Sequence, residues 1–172
     1  AYSPLGYSSA GEVIAVGEGV TQFTTGDWVA CAGAGFANHA EIIAVPVNLC
    51  VKLPENSDIK AAAYNTLGAI ALQSIRQADL RLGETCAVTG LGLIGQLSAL
   101  LLKAGGIRVI GIDVDEKVVR IADKHCVDLA VARNDAGIEE KVASFTDGLG
   151  VDAVIITAGT DSLDPVNFAG QM

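Results

Sequence analysis

Basic residues, aromatics and histidine are all scarce in this chain of 172 residues. Lysine and arginine together number 11 against 20 aspartates and glutamates, a formal charge of −9. That balance argues against nucleic acid or an anionic membrane surface as a partner, since both recruit basic patches. The four cysteines, Cys31, Cys50, Cys86 and Cys126, lie far apart and form no C-x-x-C pair, so their spacing suggests neither a zinc knuckle nor a disulfide framework. Buried free thiols in a reducing cytoplasm are the expectation. No apolar run reaches the ~20 residues that a membrane span needs, and the first residues, AYSPLGYSS, lack the basic and apolar regions of a signal peptide. A soluble, cytoplasmic protein is therefore expected. What the chain has in quantity is apolar residues, at 51%, enough for a sizeable core in one full domain or in pieces of two.

Residues 10–52 read as short strands punctuated by glycine: GEVIAVG, GDWVACAG, NHAEIIAVP and NLCVKLP. Runs of that length predict a small barrel or sandwich. At PENSD the texture changes. Pro54 stops the last strand, Ser57 or Asp58 can cap a helix, and residues 59–76 read as one alanine-rich helix. Strands over TCAVTG, IRVIGID, VDLAVAR and VDAVIITAG then alternate with helices. The first of these helices, LIGQLSALLLKAG, closes at Gly105 or Gly106; the second, EKVVRIADKH, is capped by Asp115; the third, AGIEEKVASF, is capped by Asp135. In the third, Ile138, Val142 and Phe145 share one face, as a helix covering a sheet requires.

Such alternation predicts a parallel, doubly wound α/β sheet. It is incomplete, because a six-stranded sheet needs two more strands beyond DSLDPVNFAGQM. The opening is equally abrupt, so the sequence reads as a piece of a larger protein cut in both domains. Residues 1–57 are expected to be part of an all-β barrel and residues 58–172 a nucleotide-binding domain lacking its last strands.

The chemistry is carried by GLGLIG, which sets Gly90, Gly92 and Gly95 at G-x-G-x-x-G spacing after an apolar strand and at the start of a helix. Gly90 permits the tight turn, Gly92 lets a pyrophosphate approach the backbone, and Gly95 lets helix and strand pack closely. The helix opening at Leu93 and Ile94 offers unsatisfied N–H groups and a positive dipole end to the phosphates. Asp113, 23 positions beyond Gly90 at the end of the second strand, can accept from both ribose hydroxyls of an adenosine. Val114 and Asp115 follow it, with no arginine to receive a 2′-phosphate, so NAD is favoured over NADP; Lys117 is the only nearby cation and keeps the alternative open. A glycine turn without a ligand, beside an Asp that only caps a helix, would be written in the same letters. The order of strand, glycines, helix, strand and acid favours the nucleotide. Thr157, Ala158 and Gly159 leave the fourth strand at the same edge, and either wall the adenosine pocket or make a plain turn.

LGYSSAGEV places Ser8 one methyl away from the G-x-S-x-G turn on which hydrolases mount a nucleophile. A nucleophile elbow needs an apolar strand before its serine, and AYSPLGY offers none.

Taken in order, GEVIAVGEGVTQFTTGDWV, HAEIIAVP, LGETCAVTGLGLIG and FTDGLGVDAVIITAG resemble the medium-chain dehydrogenase/reductase superfamily, the zinc-type alcohol dehydrogenases and their zinc-free quinone-reductase relatives. LGYSSAG with CAGAGFANHAEIIAVP and NTLGAIALQSIRQ resembles its threonine-dehydrogenase-related branch, whose members often continue into a second oxidoreductase domain. The resemblance implies a GroES-like barrel joined to a Rossmann domain, with NAD(H) or NADP(H) in the cleft and hydride transfer as the reaction. It also implies a small-molecule substrate and a homo-oligomer for the full-length protein. In zinc members the residue aligned with Tyr7 is a ligand histidine, and a further ligand falls near Asn65 or Thr66; neither those two residues nor a phenol is a good zinc donor. Only Cys31 precedes His39 where a structural-zinc lobe would follow GDWV. Neither metal is expected. Tyr7 then either donates a proton to a developing alkoxide or enolate, or only packs; His39 and His125 each stand alone and are expected to pack or face solvent. Two functions follow from these residues: a zinc-independent, NAD-dependent oxidoreductase, or a dinucleotide-binding sensor or scaffold that no longer catalyses.

Overall fold

In a computed structural model the chain is described over residues 5–172; residues 1–4, the start of the stretch expected to hold no apolar strand and of the barrel part, lie outside the described residues. The chain divides into two compact units, residues 1–69 and 70–172.

The first unit holds an antiparallel sheet in the order β1 (Ser8–Glu12), β2 (Trp28–Ala32), β3 (Cys50–Lys52). Val29, Cys31 and Ala37 form its core, with Val13, Phe23 and Val45 against them. The segment NHAEIIAVP, expected as a strand, bends over residues 39–42 and makes no ladder: β1 and β3 both pair with β2, and the run has no strand partner among the described residues. A strand exists only where its N–H and C=O groups find a neighbour. The four cysteines are free thiols, as expected, and two that are distant in sequence meet in space. Antiparallel register places Cys31 opposite Cys50, with their sulfurs 3.7 Å apart. Burial, with the Cys50 sulfur beside it, pushes the Cys31 thiol up to about 12.

The helix expected over residues 59–76 is two. Asp58 caps α1 (Ile59–Ala62) by accepting from the amides of Lys60 and Ala61 at 2.9 and 3.2 Å. After a break at Ala63 and Tyr64, α2 (Asn65–Ala78) carries the chain into the second unit. Ser8 occupies the break. Its hydroxyl donates to the Ala63 carbonyl at 2.6 Å and accepts from the Thr66 amide at 3.2 Å.

In the second unit four parallel strands lie in the order β6 (Leu129–Ala132), β5 (Arg108–Asp113), β4 (Thr85–Thr89), β7 (Ala153–Ile156). Helices α3 (Leu93–Ala104), α4 (Glu116–His125), α5 (Ile138–Phe145) and α6 (Asp164–Ala169) connect or follow them. Successive strand residues point to opposite faces. Cys86, Val88 and Val109 therefore pack on one face with Leu102 of α3 and Ala122 of α4. Ala87, Ile110 and Ile112 pack on the other with Val142 of α5 and Phe168 of α6. Helices on both faces of a parallel sheet make this unit the doubly wound, Rossmann-like fold; the first unit is the GroES-like antiparallel part. Gly106, at φ +78°, closes α3. Asp115 caps α4 through the Lys117 amide at 2.8 Å, but Asp135 does not cap α5: it stands two residues before the helix's true cap, Gly137, and accepts from that residue's amide at 2.8 Å.

Candidate functional site

The carboxyl edge of the parallel sheet is where β4 turns into α3. Gly90 leaves the strand at φ +98°, and a side chain there would drive its Cβ to 2.4 Å from the Ala158 nitrogen. At Gly95 a Cβ would lie 1.8 Å from the Gly90 carbonyl oxygen and 2.8 Å from Thr157 Oγ1. Gly92 differs from both: nothing lies within 4 Å of the position its Cβ would take. Two of the glycines thus hold the turn against β7 and α3, while the third leaves open space at the helix start. The first-turn amides of any helix have no intrahelical acceptor, and the helical ladder here opens with the Gln96 amide donating to the Gly92 carbonyl, four residues back, at 2.9 Å. Leu93, half exposed, and Ile94, half buried, form that first turn.

Around this opening lies a cavity of about 410 Å³, lined by Gly90, Gly92, Asp113, Arg133, Thr157 and Ala158 among others. Asp113 ends β5, and its carboxylate braces two loops: Oδ2 accepts from the Leu91 amide at 2.6 Å and Oδ1 from the Asp115 amide at 2.8 Å. A carboxylate offers about four lone-pair sites, so acceptor capacity remains for hydroxyls from a ligand. Thr157 leaves β7 and donates through Oγ1 to the Gly90 carbonyl at 2.5 Å, a clamp on the glycine turn that its place in the sequence did not signal. Thr89 Oγ1, buried in the cavity wall, has no hydrogen-bond partner among the described residues. Open space above a helix start, a carboxylate with spare acceptors and an unpartnered hydroxyl fit a dinucleotide. The sequence reading of Lys117 as the only nearby cation is corrected here, because Arg133, 20 positions beyond Asp113, lines the same cavity. Strand order brings it there: β6 lies beside β5, and Arg133 is the first residue past its end.

Comparison with known proteins bears on both units. Residues 2–55 match the alcohol dehydrogenase GroES-like domain. The chain is 31% identical over 156 residues to the D-guloside 3-dehydrogenase of Escherichia coli K12, an alignment covering 90% of this chain and 44% of that protein. It is 31% identical over 163 residues to a quinone oxidoreductase of Pseudomonas aeruginosa, covering 93% and 50%. Among solved structures, that of a mycobacterial protein complexed with NADPH superposes with a TM-score of 0.80 at 26% identity, over 95% of this chain and 52% of that one. Along nearly its whole length the chain is similar to proteins of the medium-chain dehydrogenase/reductase superfamily. It spans about half the length of the curated relatives it matches.

In the superfamily's zinc-type members the resemblance places a ligand histidine at Tyr7. Here Tyr7 is 41% exposed, just ahead of β1. Its carbonyl accepts from the Gly33 amide at 3.0 Å and from the Thr66 hydroxyl at 3.4 Å; the same hydroxyl also reaches the Cys31 carbonyl at 3.4 Å. Phenol, hydroxyl and carboxamide are the donors at the two aligned positions, and they do not fit a catalytic zinc of this superfamily. Among the described residues no three His, Cys, Asp or Glu side chains gather as a metal site. His39 is not isolated from this corner: its ring fills the space beside Gly6, 2.3 Å from where a Cβ there would sit, so the positive-φ glycine admits the imidazole. His125 is exposed at the end of α4. Ser8 spends its hydroxyl proton on a backbone carbonyl, not on a base, which removes the basis for a nucleophilic role.

Proposed function

We propose that this chain is part of an oxidoreductase that transfers hydride between NAD(H) and a small carbonyl or alcohol substrate without catalytic zinc. The observation that carries the reading is the glycine turn of β4 and α3, closed at Gly90 and Gly95, open above Gly92, and flanked by the Asp113 carboxylate. Similarity to that superfamily supports it: relatives named as dehydrogenases and quinone oxidoreductases align along nearly the whole chain. The nicotinamide ring, when bound, supplies the hydride chemistry. The chain's residues do the rest. Amides of the α3 start, with Leu93 and Ile94, hold the pyrophosphate, Asp113 accepts from the ribose hydroxyls, and Thr157, Ala158 and Gly159 wall the adenosine. Tyr7 exchanges a proton with the substrate oxygen.

The mycobacterial neighbour was solved with NADPH, but a carboxylate at the ribose disfavours a 2′-phosphate by charge, which is the ground for preferring NAD here. Steady-state consumption of NADH against a panel of carbonyl compounds by the full-length protein tests the reading. Turnover that survives treatment with a zinc chelator and falls with Tyr7→Phe supports it. Loss of turnover on chelation contradicts the zinc-free part, and tight NADH binding without any turnover gives the sensor or scaffold instead.

A further inference from the structure

Asp113 pairs in register with Ala132, and the Arg133 amide donates to the Asp113 carbonyl at 2.8 Å. The acid and the arginine therefore emerge side by side at the carboxyl edge, and both line the cavity of about 410 Å³. An arginine fork matches a phosphate as well as it matches a carboxylate. This fork is engaged. Nε donates to Asp164 Oδ2 at 2.9 Å and Nη2 to Asp164 Oδ1 at 2.7 Å, while the guanidinium lies over the Phe168 ring, 4.0 Å from Cζ to the ring centroid. Asp164 opens α6, and its amide donates to the Ser162 hydroxyl at 3.1 Å. The charged side chains lining the cavity are Asp113, Arg133 and Asp164, two acids against one base.

We infer that Asp164 sets the choice between the two nicotinamide dinucleotides by withholding Arg133 from a 2′-phosphate. The inference rests on the function proposed above, since a dinucleotide must present its adenosine ribose to Asp113. A 2′-phosphate brings close to two negative charges into a lining whose single cation is already neutralised. Take away the Asp164 charge, and the lining becomes neutral with a free arginine fork beside the ribose position. Asp164 is thus a positioning residue: it acts on the ligand through Arg133, and Phe168 keeps the guanidinium plane in place when its partner is lost.

The test is calorimetric titration of NADH and of NADPH into the unsubstituted chain, Asp164→Asn, Asp164→Ser, and the double variant Arg133→Gln with Asp164→Asn. Thermal midpoints establish that each is folded, and the serine variant serves if the asparagine one is not. The quantity read is the ratio of the two dissociation constants, which a general loosening of the fold would not move. Asp164→Asn should shift that ratio about tenfold toward NADPH, and adding Arg133→Gln should abolish the shift. NADH binding as proposed, with a ratio that stays within about twofold in the Asp164 variants, overturns this inference and leaves the proposed function standing. A shift that persists without Arg133 overturns it too. If neither dinucleotide binds the unsubstituted chain, the proposed function falls and the inference falls with it.

Discussion

The hydroxyl of Ser8 serves two backbone groups that a broken helix leaves without partners, the Ala63 carbonyl and the Thr66 amide. Replacing it with alanine removes both bonds at once from a half-buried place. Ser8→Ala should cost about 1–3 kcal/mol of stability, read as a lower denaturant midpoint, while a fluorophosphonate probe should label neither form. An unchanged midpoint would contradict the role given to Ser8, and labelling would revive the nucleophile. The letters around Ser8 suggest a catalytic serine because they are local. Its partners are 55 and 58 positions away, a distance over which no periodicity or motif speaks. Arg133 was missed for the same reason, since only the β5–β6 pairing brings it beside Asp113.

Within the β4–α3 turn the three glycines do separable work. Gly92→Ala adds a methyl where nothing lies within 4 Å, at a φ of −65° that alanine accepts. Its melting temperature should stay near that of the unsubstituted chain while NADH affinity falls by about tenfold or more, because the methyl stands where the pyrophosphate approaches. Gly95→Ala pushes a methyl to 1.8 Å from the Gly90 carbonyl oxygen and should lose at least about 2 kcal/mol of stability by overpacking. Differential scanning calorimetry separates the pair; equal destabilisation of both would contradict this division of labour. The α/β elements were legible because each signals itself within a few residues: an apolar run, a cap such as Asp115, a closing glycine such as Gly106. The antiparallel part was read less well. Whether NHAEIIAVP becomes a strand depends on a neighbour, and whether Cys31 meets Cys50 depends on register, and neither is written in the segment itself.

The buried thiols make the stability of the chain depend on alkaline pH. Desolvation is the main cause that pushes Cys86 up to about 12; a backbone hydrogen bond at Ile155 opposes it, and the Asp152 charge adds to it. Below about pH 9 folded and unfolded chains both keep this proton. From about 9 toward 12 the unfolded chain releases it first, so stability falls as pH rises. Thermal midpoints between pH 8 and 10.5 should therefore decline less steeply in Cys86→Ala than in the unsubstituted chain, and parallel declines would contradict the assignment of that proton. At neutral pH the charge of −9 and the acid at the end of β5 bear on which dinucleotide this chain takes. Calorimetric titration of NADH and NADPH, with Asp113→Ser alongside, puts that question directly. NADH should bind the unsubstituted chain more tightly than NADPH, and the serine should weaken NADH by about tenfold and narrow or reverse the preference. Tighter binding of NADPH to the unsubstituted chain would contradict the role of Asp113 and the preference for NAD built on it.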